Sequence, residues 1–145
     1  MGLVDRGVGI TDHSGGVIRN NMSYRSAGSG GDAPISVYDS PNTQVLHNTI
    51  AINGTYPNVV EYRFADTTGI LIQNNLITTG AITSRNGGAA IVQNNLLNTS
   101  NSCFVNVAAG DLHLLSTCTT AINKVTASVG VTLDIDGFAR TQGTL

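Results

Sequence analysis

Apolar residues recur along this chain in short runs broken by Asn, Gly, Thr and Ser. Four of these runs share one form. The first reads Gly16-Val17-Ile18-Arg19-Asn20-Asn21-Met22, and the second Gln44-Val45-Leu46-His47-Asn48-Thr49-Ile50. The third is Ile70-Leu71-Ile72-Gln73-Asn74-Asn75-Leu76, and the fourth Ala90-Ile91-Val92-Gln93-Asn94-Asn95-Leu96. Each has two apolar residues, a polar one, an Asn, a second Asn or a Thr, and an apolar residue. Asn20 to Asn48 is 28 residues, Asn48 to Asn74 is 26, and Asn74 to Asn94 is 20. Self-similarity at this period is the mark of a solenoid. No window carries a convincing helical period, whereas β-branched runs bounded by turn residues are everywhere. The pattern predicts an all-β parallel β-helix of about five coils. Coils over residues 1–123 precede a capping tail over 124–145.

A second repeated piece precedes each Asn run. It reads Val8-Gly9-Ile10-Thr11-Asp12, Ile35-Ser36-Val37-Tyr38-Asp39, Tyr62-Arg63-Phe64-Ala65-Asp66 and Ile82-Thr83-Ser84-Arg85-Asn86. Strand alternation turns Val8/Ile10, Ile35/Val37, Tyr62/Phe64 and Ile82 inward, and Gly9/Thr11, Ser36/Tyr38, Arg63/Ala65 and Thr83/Arg85 outward. The corner between the two pieces is short and constant. Length varies instead after the third strand of each coil, over 24–34, 53–58 and 79–80. Variable loops on one side of a solenoid usually border its functional face. Asn20, Asn48, Asn74 and Asn94 are expected to stack as a structural amide ladder, since Asn tolerates left-handed corners and can donate and accept along the column. Beyond Asn98 the repeat loosens. Cys103–Val105 and Leu112–Leu115 are expected to begin a fifth, incomplete coil.

Charged residues make up only 11% of the chain and the net charge is −2, so no electrostatic pull toward nucleic acid is expected. No apolar run is long enough to span a membrane, and residues 1–5 lack the basic and apolar segments of a signal peptide. Cys103 and Cys118 leave a disulfide and a reduced buried pair both open.

The stretch Phe104-Val105-Asn106-Val107-Ala108-Ala109-Gly110-Asp111-Leu112-His113-Leu114 resembles the F-V-D-x-x-A-G-D-[FY]-H-L segment of secreted bacterial right-handed parallel β-helix proteins, the pectate-lyase-like (pectin-lyase-like) family. That family continues with S-P-A-I-D-A-G and D-[IL]-D-G-x-x-R-P. Here Thr119-Thr120-Ala121-Ile122-Asn123 and Asp134-Ile135-Asp136-Gly137-Phe138-Ala139-Arg140 take those places, with Asn123 for Asp and Thr141 for Pro. The resemblance implies a right-handed coil, as does the chirality of parallel crossovers. It also implies secretion or cell-surface display. The chain begins in mid-coil without the family's capping helix, so its open end is expected to be covered by a homo-oligomer contact or by more of a longer chain.

In such proteins the active surface is the outer face of the sheet before the tight corner. The resemblance therefore implicates Tyr38, Glu61, Arg63 and Arg85, with His13, Asp39 and Asp66 at the corner. Asp12, Asp39, Asp66 and Asn86 would form one column, suited to a glycosidase pair or a cation, or serving only as turn residues. Arg63 and Arg85 could bind uronates, and Tyr38 and Tyr56 could stack on sugar rings. A lyase would also want a calcium site or a cationic neutraliser, and the one lysine, Lys124, lies in the tail. No cofactor is expected, calcium being the weakly supported exception. His47 lies on the second sheet and His113 reads as structural. Asp134-x-Asp136-Gly137 lacks the distal Glu of a calcium loop and reads as a turn. Two functions follow. One is polysaccharide engagement on the first sheet, as a binding module or part of a lyase or glycosidase. The other is a non-catalytic assembly module that self-associates through its coil ends.

Overall fold

A computed structural model describes residues 2–4, 15–125 and 130–140. Val, Ile and Thr fill its strands, as the pleated, half-buried surface of a sheet favours. Each circuit passes through three short strands. The first sheet contains β1 (Gly2–Val4), β4 (Ile35–Tyr38), β7 (Asn58–Arg63) and β10 (Ala81–Arg85). The second contains β2 (Val17–Arg19), β5 (Gln44–Leu46), β8 (Ile70–Gln73) and β11 (Ala90–Gln93). The third contains β3 (Met22–Arg25), β6 (Thr49–Ile52) and β9 (Leu76–Ile77), and a bridge from Leu76 to Leu96 prolongs it. Every pairing within these sheets is parallel, and each strand lies beside the one three places on in the chain. This is a parallel β-solenoid.

The interior is mostly aliphatic. Ile35 and Val37, Val45 and Ile72, and Ile50 and Ile77 meet there from the three sheets, all buried. Burial of each such side chain stabilises the fold by roughly 2 kcal/mol. In the first sheet Ile35, Val60 and Ile82 align, as do Val37, Tyr62 and Ser84 on the same inward side. The outward rows are Ser36, Glu61 and Thr83, then Tyr38, Arg63 and Arg85. Phe64 is therefore not an inward residue. It occupies a corner with φ 76°, in line with Asp39 at 47° and Asn86 at 50°. The expected Asp39–Asp66–Asn86 column is replaced by Asp39–Phe64–Asn86, and Asp66 lies exposed two residues further on. The expected strand 8–12, with Asp12, lies outside the described residues.

Stacked amides fasten the second corner. Asn21 Nδ2 donates to Asn48 Oδ1 at 2.8 Å, Asn48 Nδ2 to Asn75 Oδ1 at 2.9 Å, and Asn75 Nδ2 to Asn95 Oδ1 at 2.8 Å. Each oxygen also accepts the backbone N–H of the preceding Asn. Asn48, Asn75 and Asn95 further donate to the carbonyls of Ile18, Val45 and Ile72. The ladder thus runs through Asn21, Asn48, Asn75 and Asn95. It sits one residue beyond the expected Asn20, Asn74 and Asn94 and coincides with expectation only at Asn48. Asn20, His47, Asn74 and Asn94 form the adjacent left-handed column, with φ between 52° and 60°.

The tail does not build a fifth coil. Phe104–Asn106 (β12) and Asp111–Leu114 (β13) pair antiparallel around a short turn in which Gly110 has φ 77°. Four residues suffice for an antiparallel reversal, whereas a parallel return needs a long crossover. Cys103 and Cys118 are disulfide-bonded. With Phe104 and Leu112 they pack on Ala51, Met22 and Leu76, covering the outer face of the third sheet. His113 lies between Asp111 and Asp136 at 2.5 and 2.9 Å, tying β13 to the turn at 134–138. In that turn Asp134 Oδ1 accepts the N–H groups of Asp136 and Phe138.

The ladder register carries a stability prediction. Asn75→Ala strands buried partners on both sides and should cost about 3 kcal/mol. Asn94→Ala places Ala in an exposed left-handed corner and should cost about 1 kcal/mol. Chemical denaturation of the two variants compares them directly, and equal losses would refute this register.

Candidate functional site

The outer face of the first sheet gathers most of the polar chemistry of the coils. Glu61 lies at its centre on β7. It points away from the solenoid interior, yet its exposure is 0%. Neighbours bury it. Tyr38 reaches over from β4, Arg85 from β10, and Tyr56 and Asn58 from the loop and strand start that precede it. Tyr38 Oη donates to Glu61 Oε2 at 2.9 Å. Tyr56 Oη, Asn58 Nδ2 and Arg85 Nη1 donate to Oε1 at 2.5, 2.6 and 3.1 Å. Arg85 Nη1 also donates to Tyr56 Oη at 2.8 Å, and Thr83 Oγ1 to Asn58 Oδ1 at 2.8 Å.

These contacts set the charge state. Burial pushes the Glu61 carboxyl up, but the donors Tyr56, Asn58, Tyr38 and Arg85 outweigh it and hold the group down at about 2. Burial raises Tyr38, as does its bond to the carboxylate. The hydrogen bond to Glu61 raises both Tyr56 and Arg85. An ionised Glu61 with both oxygens engaged is neither a proton donor nor an open nucleophile. A guanidinium held protonated by that carboxylate is not a base. The centre of the face is a neutralised, fully bonded hub.

Beside the hub lies an aromatic and cationic patch. The rings of Tyr38 and Phe64 stand 5.8 Å apart, edge to face at 75°. The Arg63 guanidinium lies 4.7 Å from the Phe64 ring centroid and 5.9 Å from that of Tyr38, and its Nε donates to Asn86 Oδ1 at 2.7 Å. Phe64 holds its ring there from a left-handed backbone, an arrangement costing of order 1–3 kcal/mol in a bulky residue. The loops over 26–34 and 53–57, which differ in length between coils, border this face as the repeat pattern predicts.

Of the residues singled out in the sequence, Tyr38, Glu61, Arg63 and Arg85 come together here. Asp39 sits half-buried at the corner after Tyr38. Asp66 does not join them, and His13 lies outside the described residues. Asn58 and Phe64 were not anticipated. Asn58 could have been found from its place three residues before Glu61 at the mouth of a variable loop. Phe64 was hidden because Tyr62-Arg63-Phe64 imitates strand alternation. His47 is buried at the second corner, away from this face. Asn74 Nδ2 donates to its Nε2 at 3.0 Å, and burial, with Arg140 nearby, lowers its pKa to about 4. Among the described residues no group of three or more His, Cys, Asp or Glu side chains is arranged to hold a metal ion.

The Glu61 hub predicts acid sensitivity. A carboxylate whose folded pKa lies below its ordinary 4.5 contributes stability that is fully present above 4.5 and lost as pH falls toward 2. The span corresponds to about 3 kcal/mol. Glu61→Gln should flatten stability between these values and lower it at neutral pH. Denaturant titrations at several pH values measure both effects.

No protein-family model, curated protein or solved structure matches the chain. Its own geometry assigns it to the all-β folds, as stacked parallel sheets fastened by an Asn ladder.

Proposed function

We propose that the chain is a right-handed, pectin-lyase-like β-helix module of a secreted or cell-surface protein that holds polysaccharide on the outer face of its first sheet without turning it over. The Tyr38–Phe64–Arg63 patch carries this reading. A strained corner that offers an aromatic ring to the outside, next to a second ring and a guanidinium, suits the apolar face and polar rim of a sugar. Variable loops border the face, and the third sheet, covered by the tail, offers no comparable surface. The hub argues against chemistry. Glu61 is ionised and enclosed, and Arg85 is held protonated, so neither of these two side chains is free for glycosidase acid-base work or base-driven elimination.

Tyrosine fluorescence titrations with polygalacturonate and with neutral xyloglucan oligosaccharides test the proposal. Tyr38→Ala and Arg63→Ala should each weaken binding at least tenfold, while Tyr38→Phe keeps most of it. Full affinity in Tyr38→Ala, with its fold intact by circular dichroism, would refute it.

One observation favours a second reading, self-association at the end of the fourth coil. Val92 aligns with the buried Ile72 and points inward, yet it is 43% exposed, and Leu97 is 42% exposed. With Ile82 they line an open 370 Å³ cavity between the outer edges of β10 and β11. A strand edge over apolar side chains is a template for another chain. Light scattering should then give a mass above 15.0 kDa, reduced to that value by Val92→Lys.

A further inference from the structure

The second corner and the tail enclose a cavity unrelated to the first sheet. Its volume is about 280 Å³, just under the ~300 Å³ at which ligand pockets begin. The left-handed column forms one wall, with His47 and Asn74 at its buried base and Asn94 at its exposed rim. The tail forms the other wall through Leu114, Ala121 and Val125, with Lys124 and Arg140 beside them. Among the described residues no Asp or Glu lines this cavity. Two openings, of about 180 and 320 Å³, adjoin it and share His47, Leu114 and Arg140 with it; Asp134 lines both, and His113 and Asp136 line one. Lys124 and Arg140, with Asp134 acting on Arg140 from the adjoining openings, leave an excess of positive charge here in a chain of net charge −2.

We infer that this cavity is a binding site for a small organic carboxylate with an apolar, ring-sized body. Arg140 has the donors for it. Its Nη2 donates to Asn20 Oδ1 at 2.8 Å and its Nε to the Leu133 carbonyl at 3.2 Å, which uses two of five N–H groups and fixes the guanidinium in place. Lys124, exposed at the same cavity, adds a second charge. Asn74 Nδ2 and His47 Nε2, 3.0 Å apart, place an amide and an imidazole at the base of the cavity. His47 stays neutral because burial and the nearby Arg140 disfavour its cation, so the positive charge at the cavity comes from Lys124 and from Arg140, on which Asp134 also acts. Leu114, Ala121 and Val125 leave the opposite side apolar, which suits a ring better than inorganic phosphate or sulfate.

Benzoate and its uncharged counterpart benzyl alcohol are the probes, titrated near neutral pH into the full chain labelled for amide and imidazole NMR. Benzoate should saturate at millimolar concentration. Its shifts should be confined to His47, Asn74, Asn94 and Lys124, with benzyl alcohol at least tenfold weaker. Lys124→Gln should weaken benzoate at least fivefold while leaving the other resonances in place. Arg140→Gln should abolish binding, and its spectrum reports whether the tail remains docked. Equal response to both probes, or none from benzoate below roughly 50 mM, would overturn the inference. Shifts confined to Tyr38, Tyr56 and Arg63 would overturn it too, and would place the anion on the first-sheet face instead.

Discussion

The architecture depends on one hydrogen-bonded column. A parallel solenoid repeats its backbone in every coil, so any corner that fails to repeat shifts the register of all three sheets. The Asn21–Asn48–Asn75–Asn95 ladder prevents this. The inner amides, Asn48 and Asn75, bond to the coil on one side through the oxygen and to the amide of the other through the nitrogen. A slip of one residue would leave buried donors and acceptors without partners, at about 1–3 kcal/mol each. Hydrophobic burial supplies most of the stability, but it is non-directional and tolerates several registers. The column selects one, and so decides which side chains of the first sheet face outward together.

The ladder also explains where the sequence could be read and where it misled. Coils, parallel strands and variable loops after the third strand followed directly from the repeat, because apolar alternation and turn residues act locally. The ladder register did not. Treating Thr49 as the second Asn matched Asn48 with Asn20, giving uneven spacings of 28 and 26. The observed spacings between ladder members are 27, 27 and 20. The uniform pair was in the sequence, while the third spacing of 20 shows that the column tolerates a shorter coil as long as an Asn returns to the same corner. His47 could stand in the left-handed column because that position requires a backbone conformation rather than an amide.

The same distinction separates the two halves of the candidate face. Tyr38, Arg63 and Arg85 were legible as outward strand positions. Phe64 was not, since alternation continued by one residue places it inside. Its real surroundings are set by the corner, where register with Asp39 and Asn86 overrides side-chain hydrophobicity. The hairpin was missed for a related reason. The stretch Phe104–Leu114 has the composition of a coil, but its turn is too short for a parallel return, and the disulfide and Phe104 then close it over the third sheet.

Glu61 shows why placement alone does not make a catalytic group. An acidic residue at the centre of an outward face looks available from the sequence. In the structure its neighbours satisfy it so completely that the charge is spent on fixing Tyr38, Tyr56 and Arg85. Those side chains hold a defined surface because the carboxylate beneath them is ionised and buried. The face therefore gains rigidity from the group that would otherwise have supplied its reactivity. A rigid aromatic surface binds with little loss of side-chain entropy, so the enclosed carboxylate favours holding a ligand over transforming one.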